Sequence, residues 1–306
     1  MKNVIVTGAN GFIGTWLVNK LLEENIHVLA VVKDESEDCT SLKNSPLLAI
    51  EYCDLDNIFE LTNRIEKNKY DTIYHLAWAG TSGPLRADYE MQIKNVKYTL
   101  DVINMFSQIG GKKFIGAGTL AEYDNLAYIP LDGATPNAVS MYGAAKISAH
   151  YLSKIECNRL GVEHIWGVFS NIYGVGNTTN NFVNFASKLM LKGEKAAFTK
   201  GEQNYDFVYI TDFIQGLYLL GVSGKNNSEY FIGSGKCRRL KQYIELIRDS
   251  IDKNIPLYLG EIPFNGVSLE EKQLSIEKLT KDTGYLPKVS FEDGIERTIS
   301  WLKSQN

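Results

Sequence analysis

Short apolar runs rich in β-branched residues alternate, along the first half of the chain, with stretches whose apolar positions recur at helical spacing. The apolar runs predict six buried strands: Val4–Val6, His27–Val32, Leu48–Tyr52, Asp71–Leu76, Lys113–Ala117 and Glu163–Phe169. The helical patterns predict four helices between them: Phe12–Glu24, Ile58–Lys67, Tyr89–Gln108 and Val139–Leu160. Because strands that alternate with helices form right-handed crossovers, this order predicts an α/β fold with a doubly wound parallel sheet.

The pattern is less regular from residue 172 onward. It predicts shorter strands and helices: Asn180–Leu191, Ala196–Thr199, Phe207–Ile210, Thr211–Val222, Tyr230–Gly233, Leu240–Ile251, Leu274–Thr283 and Phe291–Leu302. We therefore predict a first domain over residues 1–171, to whose sheet a segment near 207–233 returns. Residues 172–306 are predicted to form mainly a smaller α/β lobe that binds the substrate.

The first strand runs directly into a glycine-rich turn. Gly8, Gly11 and Gly14 follow Val4–Val6, and apolar positions at helical spacing begin at Phe12. A strand, a glycine turn and a helix N-terminus direct unpaired backbone N–H groups at one point, where an anion can bind. Three glycines also occur in purely structural turns, but the strand before and the helix after favour a dinucleotide pyrophosphate. The first domain is therefore predicted to be a dinucleotide-binding Rossmann domain.

The end of the second predicted strand bears on the choice of dinucleotide. A carboxylate at this place commonly accepts the ribose hydroxyls of NAD. Val32 stands there instead and Lys33 follows it, which favours the 2′-phosphate of NADP. The alternative is that Asp34 binds the ribose while Lys33 is a solvated loop residue. Asp54 and Leu55 are placed to border an adenine, although Asp54 can equally be an ordinary turn residue.

Tyr142 and Lys146 lie four residues apart in a predicted helix, so they share one helix face. A phenol with an ordinary pKa of about 10 exchanges protons poorly at neutral pH, and an adjacent ammonium with a cationic nicotinamide would lower that pKa. By spacing alone, such a pair is more often a solvated helix face. The small residues Gly143, Ala144 and Ala145 indicate that another element packs closely against this helix.

Composition and charge argue against several other classes. The 306 residues are 44% hydrophobic and 22% charged with a net charge of −4, which offers no basic surface for nucleic acid. The sequence has no signal-peptide pattern and no long apolar run, so we expect no membrane span. The cysteines form no CxxC pair, so we expect reduced thiols, a cytoplasmic protein and no metal site; they are Cys39, Cys53, Cys157 and Cys237.

Several motifs, taken together, resemble those of a known family. They are Thr-Gly-x-x-Gly-x-x-Gly over 7–14, Asn95 within a helix, Tyr142-x-x-x-Lys146, Asn171-Ile172-Tyr173-Gly174, Gly201-Glu202-Gln203-x-x-Asp206-Phe207-Val208-Tyr209 and Gly284-Tyr285-x-Pro287. With this set, which runs almost end to end, the chain resembles the extended short-chain dehydrogenases/reductases, which are epimerases, dehydratases and reductases of nucleotide sugars. The resemblance implies NADP- or NAD-dependent hydride transfer at a sugar carbon, a nucleotide-sugar substrate and a homodimer built from two helices of each subunit.

The resemblance also implies roles for individual residues. Tyr142 would be the acid/base, Lys146 would hold the nicotinamide ribose, and Thr119 would hydrogen-bond the reacting oxygen. The residues implied for the cofactor are Gly8, Asn10, Gly11, Phe12, Ile13, Gly14, Lys33, Asp54, Leu55, Leu76, Ala77, Trp78, Asn95, Tyr142, Lys146, Phe169 and Asn171. Those implied for the substrate are Thr119, Asn171, Tyr205 and Arg238.

The chain departs from the family's pattern at two places. Dehydratases carry Asp-Glu directly after the Thr, whereas Leu120 and Ala121 stand here and cannot transfer a proton; Glu122 comes one residue late and is expected to point elsewhere. Tyr205 stands where the family usually has an Arg that clamps the nucleotide diphosphate. Either another cation takes that role or the substrate lacks a nucleotide in the usual pose. The candidate cations, which can equally be solvated, are Arg238, Arg239 and Lys188.

Three functions remain open at this point. The first is an NADPH-dependent reductase of a 4-keto-6-deoxyhexose on a nucleotide carrier, which Lys33 and the missing acid–base pair favour. The second is a 4-epimerase that keeps NAD bound and returns the hydride to the opposite face of the sugar. The third is a cofactor-binding sensor without catalysis, against which the complete Thr119, Tyr142 and Lys146 set argues.

Overall fold

The computed structural model describes residues 1–128 and 137–305. Six strands lie in the first half: β1 Asn3–Thr7, β2 His27–Val32, β3 Leu48–Tyr52, β4 Thr72–His75, β5 Lys113–Thr119 and β6 Glu163–Phe169. The helices of this half are α1 Phe12–Glu23, α2 Leu61–Arg64, α3 Tyr89–Gln108, α4 Leu120–Tyr128 and α5 Ser140–Leu160. Two 3-10 turns, Leu55–Glu60 and Pro84–Ala87, lie among them.

The second half contains shorter strands. They are β7 Asn171–Tyr173, β8 Ala197–Phe198, β9 Asn204–Tyr205, β10 Phe207–Tyr209, β11 Ser228–Ile232, β12 Arg238–Arg239 and β13 Tyr258–Leu259. The helices are α6 Phe182–Leu191, α7 Ile210–Ser223, α8 Leu240–Asp249, α9 Glu277–Thr283 and α10 Phe291–Ser304, with a 3-10 turn at Glu271–Leu274. No helix in the described ranges is both long and apolar enough to cross a membrane.

A seven-stranded parallel sheet in the order β11-β6-β5-β4-β1-β2-β3 organises the molecule. The chain starts at β1, extends to β2 and β3 on one side, and then crosses to β4, β5 and β6 on the other. The strand order therefore reverses between β1 and β4, and ligands of such sheets bind at the carboxyl ends of the strands beside this reversal. The predicted doubly wound α/β fold is confirmed.

Alternate residues of the strands fill two separate hydrophobic cores, one on each face of the sheet. Val4 and Val6 of β1 pack with α1 and α7 residues such as Leu17 and Phe213. Ile5, which points the other way, belongs with α3 residues such as Phe106. Burial on both faces explains why the strands read as continuous apolar runs rather than as alternating patterns.

Two helical segments of the first half differ from the prediction. The predicted helix Ile58–Lys67 is a 3-10 turn, Leu55–Glu60, followed by the single turn of α2. Helix α4 was not predicted, because its stability comes from packing against α5. A Cβ added at Gly143 would lie 1.8 Å from Asn125 Nδ2, so the small residues of α5 do accommodate a closely packed element.

The return of the chain to the main sheet takes place at β11, which pairs with β6. The predicted strand Phe207–Ile210 does not join that sheet; as β10 it pairs with β7. Side chains at the end of β6 hold the start of β10 in this place. Ser170 Oγ and Asn171 Nδ2 donate to the carbonyl oxygen of Asp206, at 2.8 Å and 3.0 Å.

Candidate active site

The turn between β1 and α1 lies at the carboxyl edge of the sheet. Gly8 has a φ of +67°, and a Cβ at that position would lie 2.8 Å from the backbone nitrogen of Ala77. A Cβ at Gly14 would lie 2.1 Å from the carbonyl oxygen of Gly8. Both positions therefore require glycine. No described side chain caps α1 at Gly11, so the first N–H groups of the helix are open to an anion.

A cleft of about 560 Å³, which we call the glycine-turn cleft, begins at this turn and reaches α5. It brings together most of the residues predicted for cofactor and catalysis. Those in its lining are Gly8, Asn10, Gly11, Phe12, Ile13, Gly14, Leu76, Ala77, Trp78, Thr119, Tyr142, Lys146, Phe169 and Asn171.

A second cavity of about 310 Å³, the Lys33 cavity, lies on the other side of the turn and shares part of its lining with the glycine-turn cleft. It contains the remaining predicted cofactor residues, Lys33, Asp54, Leu55 and Asn95. The Lys33 ammonium lies 3.9 Å from a carboxylate oxygen of Asp54. Asp34 is turned away, since its carboxylate accepts hydrogen bonds from the backbone and hydroxyl of Ser36.

The two cavities fit a dinucleotide laid across the N-terminus of α1. The uncapped N–H groups and glycines would receive the pyrophosphate, and the Lys33 cavity would receive the adenosine end. The glycine-turn cleft would then direct the nicotinamide end towards Tyr142 and Lys146. Asn95 fixes the backbone of Ala79, which lines the Lys33 cavity. Its side-chain amide accepts a hydrogen bond from Ala79 N at 3.0 Å and donates one to Ala79 O at 2.8 Å.

Tyr142 is buried where the glycine-turn cleft meets α4. Burial raises the pKa of the Tyr142 phenol above its usual value. The nearby Thr119 hydroxyl and the positive charge of Arg86 act in the opposite direction. Thr119 ends β5, and its hydroxyl accepts a hydrogen bond from the backbone nitrogen of Ala121 at 3.3 Å. The structure thus places Thr119 and Tyr142 in the lining of the same cleft.

Lys146 lies one turn further along α5, with its ammonium directed at the sheet. It donates to the carbonyl oxygen of Ala117 at 2.7 Å and lies 3.6 Å from the centre of the Trp78 ring. Burial lowers the pKa of Lys146 to about 7. Burial thus acts on both members of the predicted pair, lowering the pKa of Lys146 and raising that of Tyr142.

A third cavity, of about 220 Å³, lies beyond Tyr142, and we call it the Arg86 cavity. Asn171 and Tyr205, both predicted to bind substrate, line it. The backbone of Arg238 pairs with that of Tyr205 across β12 and β9, but its guanidinium pairs with Glu292 at 2.8 Å and does not line the cavity. Arg238 therefore lies beside Tyr205, while its charge is directed at Glu292.

Sequence reasoning missed two charged residues of this cavity, Arg86 and Asp124. Burial raises the pKa of the Asp124 carboxyl to about 6, while Arg86 acts to lower it. No spacing in the sequence connects Arg86 with Tyr142, since only the packing of the Pro84–Ala87 turn on α5 brings them together. Asp124 was missed because α4 itself was missed.

Glu122 points away from the cavities, as its place in the sequence predicted. Its buried carboxylate accepts hydrogen bonds from Thr119 N at 2.8 Å and from the Trp166 indole at 3.2 Å. Glu122 thus supports the backbone that presents the Thr119 hydroxyl. Within the described ranges, no group of three or more His, Cys, Asp or Glu side chains is placed to hold a metal ion.

Comparison with known proteins identifies the family. The model of the NAD dependent epimerase/dehydratase family matches residues 4–233, and the chain belongs to this family. A UDP-glucuronate 4-epimerase of Thermodesulfobacterium geofontis is 28% identical over 99% of this chain and 97% of its own length. A putative UDP-glucose 4-epimerase of Methanocaldococcus jannaschii is 25% identical, and the match covers 99% of both proteins.

Solved structures confirm the fold. The UDP-N-acetylglucosamine 4-epimerase of Methanobrevibacter ruminantium, in complex with UDP-N-acetylmuramic acid, superposes with a TM-score of 0.82 at 23% identity, over 100% of this chain and 99% of that one. WbmF of Bordetella bronchiseptica, in complex with NADH, gives 0.81 at 22% identity, over 99% and 92%. The resemblance stated from the motifs is confirmed at the level of family and fold.

Proposed function

We propose that the chain is an NADPH-dependent reductase of a nucleotide-linked 4-keto-6-deoxyhexose. The nicotinamide, when bound, would supply a hydride to the keto carbon. Tyr142 would give its hydroxyl proton to the carbonyl oxygen as that oxygen gains negative charge, and the Thr119 hydroxyl would donate a hydrogen bond to the same oxygen. The sugar leaves as an alcohol, and the phenolate of Tyr142 recovers a proton from solvent.

The observation that carries this proposal is the cation at the end of β2. Lys33 lines the cavity that would receive the adenosine ribose, and the carboxylate of Asp34 accepts its hydrogen bonds from Ser36. A lysine in this place supports the 2′-phosphate of NADPH, the cofactor that a reductase consumes. Tyr142 and Thr119 would serve a reductase and an epimerase alike, so the choice between the two rests on the cofactor.

The experiment that tests the proposal is an NADPH oxidation assay with a panel of 4-keto-6-deoxyhexoses on CDP, dTDP, GDP and UDP. We expect one NADPH to be consumed for each sugar reduced, with at least one nucleotide carrier. A protein that binds NADPH but oxidises none of it with any member of the panel would contradict the proposal.

A 4-epimerase that retains NAD is the second candidate. The names of the relatives and structures above favour it, since three of the four are 4-epimerases. It predicts NAD that stays bound through purification and interconversion of UDP-sugars without added cofactor. A dehydratase is not proposed, because Leu120 and Ala121 supply only apolar atoms directly after Thr119. Two carboxylates do line the cavity: Asp124, one helical turn further along α4, and Asp206, directly before β10.

The preference for NADP rests on the end of β2. Lys33 lines the cavity and Asp34 is held by Ser36, so the residue directly after β2 that faces the cavity is a cation. This arrangement supports a 2′-phosphate. The bound cofactor of the solved relative, NADH, is the alternative that the proposal must exclude by titration.

We further infer a homodimer formed through α3 and α5. Exposed apolar residues recur at helical spacing on both helices, Tyr89 and Ile93 on α3 and Tyr151 and Ile155 on α5. Ile93 and Tyr151 are 62% and 70% exposed, which is costly for a monomer in water. The four free cysteines support a reducing, cytoplasmic location.

A further inference from the structure

Arg86 contacts the proposed proton donor from outside the Tyr142-Lys146 motif. Its guanidinium carbon lies 4.6 Å from the centre of the Tyr142 ring, within the range of a cation–π interaction. The Lys146 ammonium is further away, 5.9 Å from the same ring. The Nε of Arg86 is buried and has no hydrogen-bond partner among the described residues. The nearer of these two cations is therefore the arginine.

The Pro84–Ala87 turn that carries Arg86 is fixed by a buried amide. Gln92, on α3, is fully buried. Its amide nitrogen donates to the carbonyl oxygens of Gly80 at 3.1 Å and Leu85 at 2.9 Å, and its oxygen accepts from the Trp78 indole at 2.9 Å. The same side chain thus holds both the tryptophan on which Lys146 lies and the backbone of the turn that carries Arg86.

The charged and titratable groups around Tyr142 come from each element packed against it. Arg86 lies on the 3-10 turn, Lys146 on α5 and Glu122 on α4, where its carboxylate acts to raise the pKa of Tyr142. Arg86 is in turn flanked by Asp124 and Tyr205 in the Arg86 cavity. Because a guanidinium keeps its proton throughout the working range of enzymes, whereas a buried ammonium loses it readily, the two cations are not equivalent.

We propose that Arg86 is a positioning residue for the acid/base, which through its contact with the Tyr142 ring stabilises the phenolate left when Tyr142 gives up its proton. The inference rests on the proposed function in taking Tyr142 as the proton donor. It explains how a phenol buried in a site that raises its pKa can still release a proton to the substrate. It also assigns Gln92 the task of holding Arg86 in place.

The first test measures the ionisation of residue 142 without any sugar. The full chain is prepared with 3-fluorotyrosine at position 142, and its 19F resonance is followed as a function of pH. Arg86→Met is expected to raise the titration midpoint by about one pH unit. Arg86→Lys keeps a positive charge on a flexible stem, so its titration midpoint is expected to lie between those of the wild type and Arg86→Met.

A matched control is available on α10. The guanidinium of Arg297 lies 5.7 Å from the centre of the Tyr209 ring, outside the cavities. Arg297→Met removes an arginine stacked on a tyrosine in the same way, and it is expected to leave the midpoint at position 142 unchanged. An unchanged midpoint in correctly folded Arg86→Met and Arg86→Lys would overturn the inference.

The second test separates positioning from substrate binding. In steady-state reduction, Arg86→Met is expected to lower kcat at least tenfold with little change in KM. A raised KM with unchanged kcat would mean that Arg86 binds the substrate instead, and would overturn the inference. If no sugar is reduced by the wild-type chain, the proposed function fails while the 19F titration still decides the role of Arg86.

Discussion

The phenol of Tyr142 lies among groups with opposite effects on its acidity. Burial raises its pKa, and the Thr119 hydroxyl and Arg86 lower it. In the proposed reduction the phenol gives its proton to the substrate, and the Thr119 hydroxyl and the positive charge of Arg86 would stabilise the phenolate that follows.

Replacement of Tyr142 by phenylalanine removes only the hydroxyl and therefore the proton. We expect Tyr142→Phe to lower kcat by about 10²- to 10⁴-fold while the Kd for NADPH stays within a few-fold of the wild type. Stopped-flow or steady-state reduction, with fluorescence titration of the cofactor, measures both. The control is Tyr218→Phe, which removes a hydroxyl that contacts Glu24 and lies outside the three cavities described above. An unchanged rate in Tyr142→Phe would mean that another group transfers the proton.

Asp124 gives a prediction about stability and pH. Its pKa is about 6 in the folded chain and about 3.8 in the unfolded chain. The folded state therefore binds more protons between these values, and the free energy of unfolding decreases as the pH rises through this interval. The full shift sets an upper limit of about 3 kcal/mol, and partial exposure reduces the expected loss to about 1 kcal/mol.

Asp124→Asn abolishes this loss, because an amide does not ionise. In urea denaturation we expect the variant to be more stable than the wild type by about 1 kcal/mol at pH 8 and equally stable below about pH 3.8, where the carboxyl is protonated in both states. The same gain at both pH values would show that ionisation of Asp124 is not the cause.

Site residues that belong to one sequence motif could be predicted from the sequence, whereas site residues that only tertiary packing brings together could not. Tyr142 and Lys146 share a helix face by spacing alone, and Gly8 and Gly14 are recognised by the turn they form. Arg86 reaches Tyr142 only through the packing of a short turn on α5, which no local pattern encodes. The sequence offers Arg238 as a candidate cation for the substrate, whereas in the structure its guanidinium pairs with Glu292 of α10.

The end of β2 is the element that decides the choice of cofactor. β2 finishes at Val32, and Lys33 projects into a cavity that also contains Asp54. Since the 2′-phosphate distinguishes NADPH from NADH, a cation here acts on one cofactor only.

Lys33→Ala is therefore expected to weaken NADPH binding by about tenfold and NADH binding hardly at all. Isothermal titration of the two cofactors measures the difference. Lys43→Ala, which removes an exposed lysine paired with Glu23, is the matched control. Equal losses for both cofactors in Lys33→Ala would remove the inference of an NADP site.

Elements with strong apolar patterns were predicted almost to the residue, and elements that depend on tertiary contacts were not. α3 and β6 have the predicted bounds because both are long and apolar on the buried side. α4 is short, and its buried side is set by its packing on α5 rather than by a strong apolar pattern. β10 has the composition of a core strand, but Asp206 and the end of β6 hold it beside β7 instead.

One face of the molecule, formed by α3 and α5, exposes apolar side chains that a monomer would leave in water. Apolar residues of α3 and α5 that face away from the sheet are exposed, whereas the inner faces of the same helices are buried in the core. Pairing this face with a second copy would remove it from water.

We expect light scattering after size-exclusion chromatography to give the mass of a dimer, and Ile155→Glu to give that of a monomer. Leu286→Glu, at a residue 67% exposed but outside α3 and α5, is the control and should remain dimeric. A monomeric wild type at micromolar concentration would contradict the homodimer.

Topology was the most predictable property at this scale. Right-handed crossovers leave few ways to arrange alternating strands and helices, so the parallel sheet followed from element order alone. The loops that close the Arg86 cavity could not be derived in this way, because residues as distant as Asn125, Asn171 and Phe264 meet there only after folding.

In the proposed reduction a hydride leaves the cofactor permanently and enters the sugar. The most direct measurement uses NADPH carrying deuterium at the transferred position, with a 4-keto-6-deoxyhexose nucleotide that the chain accepts. We predict one deuterium at C4 of the product, analysed by mass spectrometry, and one NADP⁺ formed for each sugar. Interconversion of sugars without deuterium incorporation and without net loss of NADPH would contradict the reductase and identify an epimerase.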